Sequence, residues 1–168
     1  MDTSFLISLV DQNRPHHSSA AQYYRLSLEQ QVPMYLSVIV AAEFAIKQAL
    51  DELPLKQFRI LPFNISHAVR SADFWRQLGR DDGDSRAVVR DDFKLLAQAD
   101  KESISIILTE DAKTLHKYCE RLRKQGVLQT RSILLTNGFD PSGLREDGQR
   151  GLNFTAPQVS PDTDNDTK

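Results

Sequence analysis

The sequence predicts an α/β fold with a mainly parallel sheet. Three observations carry the prediction. Short apolar or β-branched runs alternate with segments of helical spacing along most of the chain. A length of 168 residues suits one domain with its own core. A hydrophobic fraction of 40% and a charged fraction of 26% are ordinary for a globular protein.

In chain order, Met1-Asp2 reads as a very short strand, followed by a helix that starts near Thr3 or Ser4 and carries Phe5, Leu6, Leu9 and Val10. Residues 13–19 form a loop. From Ser18 or Ser19 to Gln31, Ala21, Tyr24 and Leu28 make one face of an amphipathic helix. Residues 32–37 are strand-like with Pro33 at the start, and residues 39–50 are helical. Phe58 to Phe63 is a further strand, placed at an edge by Pro62. A helix capped by Ser66 runs to Gly79 with Val69, Ala72 and Trp75 on one face. The polar loop 80–86 leads into a helix from Val88 to about Glu102, then a strand from Ser105 to Thr109. A helix from Asp111 or Ala112 ends before Gly126, and Arg131 to Thr136 is the last strand. The domain is set at 1–144. Residues 145–168, rich in Gly, Pro, Asn and Asp, are expected to be a disordered acidic tail.

Composition excludes some function classes. The net charge of -2 falls on the tail, which has five acidic and three basic residues, so the remainder is neutral and gives no global case for nucleic-acid binding. No apolar run approaches the ~20 residues of a membrane span. The N-terminal residues lack the basic start and cleavage site of a signal peptide. Cys119 is the only cysteine, so no internal disulfide forms, and a reducing, cytoplasmic location is expected.

The chemistry rests on acids in apolar company. On a helix Asp92 extends the stripe of Leu95, Leu96 and Ala99, whereas Asp91 lines up with Lys94, Gln98 and Lys101 on what reads as the wet face. A buried carboxylate must be paired, protonated or metal-bound. Glu43 neighbours Ile39, Val40 and Ile46. Asp2 ends the first strand, and Asp111 follows the strand that closes on Thr109. In parallel α/β folds sites form beyond the carboxyl ends of strands. Four acids converging there would need a cation, because like charges in a cleft cannot all ionise without one. For Asp92 alone, a helix N-terminal acid remains an equal reading.

These residues resemble the PIN domain, a family of metal-dependent nucleases. The resemblance covers about residues 1–140 and lies in Asp2-Thr3, Ser37-x-Ile39-x-x-x-Glu43, Asp92-x-x-Leu95-Leu96-Ala97-x-Ala99 and Ile107-Leu108-Thr109-x-Asp111. Size and layout look like the VapC-like toxins of bacterial toxin–antitoxin pairs. The resemblance implies a three-layer fold, a central sheet flanked by helices, and RNA cleavage. It also implies Mg²⁺ or Mn²⁺ held by Asp2, Glu43, Asp92 and Asp111, a supporting hydroxyl from Thr109 and from Thr3 or Ser4, an antitoxin protein partner and a homodimer. Two positions depart from the pattern: only Met1 precedes Asp2, where the family has a full central strand, and Val40 stands where a threonine is frequent.

Hard cations suit such oxygen ligands, and no Cys/His set suits zinc. Arg86, Arg90 and Lys94 are candidate phosphate contacts, though an ordinary solvated face explains each equally well. Lys117 with Lys113 and Lys124 reads as a wet face, and Asp81, Asp82 and Asp84 as a turn. His16, His17, His67 and His116 read as surface or structural residues. Phe5, Leu9, Tyr23, Tyr24 and Leu28 offer an apolar dimer face. A receiver domain would need an acid where Phe63-Asn64 stands. A haloacid-dehalogenase-like phosphatase would need Asp-x-Asp at Asp2, and a dinucleotide fold would need glycines before Gly79. The surviving alternative is a PIN-like module that binds RNA or protein without cutting.

Overall fold

The computed structural model describes residues 1–144; the tail expected at 145–168 lies outside the described residues. Six helices and four strands alternate: α1 (Thr3–Val10), α2 (His17–Glu29), β1 (Met34–Ser37), α3 (Val38–Lys47), β2 (Phe58–Leu61), α4 (Ile65–Leu78), α5 (Arg86–Lys101), β3 (Ile106–Thr109), α6 (Leu115–Lys124) and β4 (Arg131–Leu134). Both strand pairs, β1 with β2 and β3 with β4, are parallel, as alternation with helices requires. The predicted α/β class therefore holds.

The described strands form two small parallel pairs. One expectation is corrected: Met1-Asp2 is not a strand. The Met1 amine donates to Tyr35 O of β1 at 3.4 Å, and Asp2 N donates to Leu108 O of β3 at 3.1 Å. These two residues thus bridge the sheets, but they are too few to build a ladder along either edge. Asp2 is the N-cap of α1, its carboxylate accepting from Ser4 N at 3.4 Å.

Helix α1 packs on α2 and α3, while α4, α5 and α6 pack on one another. Phe93 of α5 sits at the centre of the second group, edge-on to Tyr118 at 5.2 Å and to Trp75 at 5.9 Å. The cap of α4 is Asn64, not Ser66. Its side chain accepts from His67 N, and His67 Nδ1 accepts from Asn64 N, a reciprocal box around a fully buried imidazole. His17 and His116 likewise bond to Ser8 O and Ser132 Oγ.

Gln98 overturns its assignment to the wet face. It is completely buried. Its Oε1 accepts from Ser37 Oγ at 2.5 Å, and its Nε2 donates to Leu61 O and Pro62 O. Helix α5 is covered on more than one side, so its buried arc is wider than the apolar stripe. The carboxamide ties α5 to the carboxyl ends of β1 and β2 and fixes the helix that carries Asp92. Gln98→Leu removes the acceptor of the Ser37 hydroxyl and the amide donor to two carbonyls, which is expected to cost about 1–3 kcal/mol. A urea midpoint equal to that of the parent would refute this role.

Lys117 is also more than a wet-face residue. It pairs with Asp84 at 2.6 Å and Asp81 at 3.2 Å, Arg121 pairs with Asp81 at 2.8 Å, and Tyr118 Oη donates to Asp84. Hydrogen bonds from Arg121 and Lys117 hold the Asp81 carboxyl down at about 2. The acids around Gly83 thus anchor the loop that leads into α5.

Of the apolar residues expected to form a dimer face, Leu28 is exposed, Leu9 and Tyr24 are partly buried, and Phe5 and Tyr23 belong to the chain's own core. Phe5 and Tyr23 are fully buried, and Tyr23 packs edge-on against Phe139 at 4.9 Å. Large apolar side chains are also exposed on α3 (Ile46), β2 (Ile60) and α4 (Ile65, Val69). Among the described residues no helix is long and apolar enough to cross a membrane.

Candidate active site

A cleft of about 440 Å³ opens between α1, α3 and the first turns of α5. Asp2, Glu43, Asp92 and Asp111 all line it, although they come from four separate stretches of sequence. Thr109 is fully buried beneath it.

Each acid is positioned by its own local structure. Asp2 Oδ2 accepts from Ser4 Oγ at 2.6 Å and from Thr109 Oγ1 at 2.7 Å. Thr109 Oγ1 in turn accepts from Asp111 N at 2.9 Å, so one hydroxyl at the end of β3 orients two acids. Ser4 Oγ accepts from Glu110 N at 2.8 Å, closing the link between α1 and the end of β3. Glu110 itself is held by Ser8 and by Arg14, at 2.8 Å from the latter. Glu43 rises from the second turn of α3 and accepts from Thr3 Oγ1 at 2.5 Å.

Asp111 caps the turn into α6. Its Oδ1 accepts from Lys113 N and Thr114 N at 2.8 and 2.9 Å, and its Oδ2 accepts from Thr114 Oγ1. Burial opposes its charge, but these bonds to Thr114, Leu115 and Lys113 outweigh it, and the carboxyl lies below its ordinary range. Asp111 therefore has a structural role whatever else it does.

Asp92 is the opposite case. Its Oδ2 is buried and has no hydrogen-bond partner among the described residues. Burial pushes its carboxyl up to about 8, against the Thr114 hydroxyl, and the charges of Asp111, Asp2 and Glu43 add to the rise. Glu43 is also raised, first by burial and then by Asp2 and Asp91, with Thr3 and Lys47 acting against the shift. Two acids in one cleft thus resist ionisation, whereas a simple helix-capping acid would be stabilised as the anion.

The donor set fits a hard divalent cation, because every candidate ligand is an oxygen and one of them is an orphaned carboxylate atom. The acids do not form a closed cage: among the described residues no three acidic, histidine or cysteine side chains gather closely enough to enclose an ion. The site is an open cleft, the form suited to an ion shared with a phosphate and with waters.

Several cleft residues escaped sequence reasoning. Asp91, assigned to the wet face, lines the cleft while pairing with Lys94 at 2.7 Å. At the start of a helix more of the circumference is open, so the stripe rule misplaces it. Arg14 and Lys47 bring cations to the rim, Arg14 from a loop whose path no periodicity reveals. Of the proposed phosphate contacts, Lys94 is occupied by Asp91, and Arg86 and Arg90 line a separate groove beside the cleft.

Among curated proteins none matches the chain. A chain in the crystal structure of VapBC2 from Rickettsia felis, bound to a DNA fragment from their promoter, superimposes with a TM-score of 0.51. It is 14% identical, and the match covers 79% of this chain and 95% of that one. At this identity the likeness is one of fold. A model of the PIN domain aligns with residues 1–120, and the chain belongs to the PIN domain family.

Proposed function

We propose that the protein is a metal-dependent endoribonuclease that hydrolyses RNA phosphodiester bonds, acting as the toxin of a toxin–antitoxin pair. One observation carries the reading: four carboxylates from separate stretches of sequence line one open cleft, and the most buried of them has an unpartnered oxygen. The likeness to a VapBC2 chain supports an antitoxin protein as partner.

Asp2, Asp92 and Asp111 would hold Mg²⁺ or Mn²⁺, with Glu43 binding directly or through water. When bound, the cation neutralises the carboxylates, polarises the phosphate and makes water more acidic. The chain's own residues do the rest. Thr109 and Ser4 fix Asp2, Thr114 fixes Asp111, and Thr3 fixes Glu43. Lys47 brings a positive charge to a cleft that would otherwise repel the phosphate chain, while Arg14, also lining it, is held by Glu110. In hydrolysis a water oxygen bonds to phosphorus, a phosphorus–oxygen bond to the ribose breaks, and the proton ends on the leaving oxygen.

The test is cleavage of single-stranded RNA by purified protein freed of any bound partner. Activity is expected with Mn²⁺ or Mg²⁺, lost with EDTA and poorly restored by Zn²⁺ or Ca²⁺. Varied RNAs left intact in Mn²⁺ would turn the reading into that of a non-cleaving PIN-like binding module.

A further inference from the structure

Beside the acidic cleft, α4 and α5 enclose a second groove of about 350 Å³, lined by Ser71, Trp75, Arg76, Arg86 and Arg90, with Ala72 on its floor. No acid lines it. Arg76 pairs with Asp73, one turn away on α4, and Arg90 Nε lies 3.9 Å from Asp91. The Arg86 guanidinium lies over the Trp75 ring at 5.9 Å and has no ion-pair partner among the described residues. Arg86 also opens α5, where the helix dipole disfavours a cation. Helix stability therefore does not account for it.

The groove and the cleft share one wall. Arg86 and Arg90 face the groove, while Ala87, Val88, Asp91 and Asp92, from the same two turns of α5, face the cleft. A strand whose phosphate sits among the acids therefore meets these arginines after crossing one helix edge. We propose that this groove is a nucleotide subsite for single-stranded RNA next to the scissile bond. Arg86 and Arg90 bind a phosphate, and Trp75 with the Arg86 plane offers a face for a base. The chemistry of phosphate plus π-face favours a nucleic acid strand over an acidic peptide, which would use the charge alone. The placement beside the scissile bond rests on the nuclease reading, but the test does not depend on cleavage.

The experiment measures binding of a short labelled single-stranded RNA by fluorescence anisotropy in EDTA across a KCl series. The parent is compared with Arg86→Ala/Arg90→Ala and with Arg86→Lys, and all melting temperatures are checked. Removing the two arginines that hold this one phosphate is expected to weaken binding about tenfold and to lower the salt slope by about 0.7, the value for one phosphate on a single strand. Arg86→Lys keeps the slope and loses affinity, because an ammonium cannot stack as a guanidinium does. Unchanged affinity and slope in a folded double variant overturn the subsite, even if the parent cuts RNA. A parent that binds through these arginines but does not cut in Mn²⁺ keeps the subsite and removes the nuclease reading. A parent without RNA affinity overturns the subsite, as does polyglutamate binding through the same arginines in place of RNA; neither result touches the nuclease reading, which cleavage in Mn²⁺ decides.

Discussion

Asp92→Asn is expected to abolish RNA cleavage, by a factor of about a thousand or more, while making the metal-free protein more stable near neutral pH. The stability gain follows from the raised carboxyl. In the unfolded chain Asp92 ionises above about pH 4. In the folded chain burial keeps the proton on until about pH 8. Between these values the folded state binds more protons, so the parent loses stability as pH rises, and above the upper value the whole penalty applies. Asparagine carries no such penalty. The two proteins should melt together below about pH 4 and diverge up to about pH 8, where we expect a difference on the order of several kcal/mol. Asp111→Asn should behave in reverse, because its carboxylate accepts the bonds that start α6. A loss of about 0.5–2 kcal/mol is expected. That loss should fade in acid: a depressed carboxyl stabilises above its unfolded value, and the benefit disappears as pH falls through the folded one. Melting curves of both variants across pH are the measurement. Destabilisation by Asp92→Asn at neutral pH would return that residue to the role of a helix N-terminal acid.

The second large effect is stabilisation by metal. Mn²⁺ or Mg²⁺ at about a hundred times its dissociation constant should stabilise the folded parent by about 2.7 kcal/mol, since a ligand that binds only the native state shifts unfolding by mass action. The stabilisation should grow with pH up to about 8, because the ion must displace the proton that burial holds on Asp92. Asp92→Asn should lose most of the response. Asp91→Asn should keep more of it, because Lys94 already neutralises Asp91. Isothermal calorimetry in two buffers of different ionisation heat would count the protons released. Binding that is independent of pH and indifferent to Asp92→Asn would exclude this cleft as the metal site.

Much of this was legible in the residues alone. The alternation of elements and the glycine and proline punctuation predict a parallel α/β fold, and the parallel pairs of β1 with β2 and β3 with β4 agree. The polarity of a single helix face singled out Asp92 from its neighbours, because it lies in line with Leu95, Leu96 and Ala99, while the alternative of a helix N-terminal acid stayed open. Periodicity also finds where a helix runs, but it is blind to how many partners cover it. Gln98 was therefore misread: only the convergence of β1, β2 and α5 supplies three partners for its carboxamide. Asp91 was misread for the opposite reason, since the open first turns of α5 leave room for it at the cleft. Of the residues proposed for a dimer face, composition cannot tell that Phe5 and Tyr23 are already covered by their own chain while Leu28 stays exposed. The sequence by itself determined the order of elements and the acids that stand in apolar company. Only the tertiary structure decided that these acids share one cleft and that Arg14 and Lys47 guard its rim. It alone orphaned Asp92 Oδ2 while giving Asp111 a full set of donors, because desolvation and hydrogen bonding arise from atoms far apart along the chain.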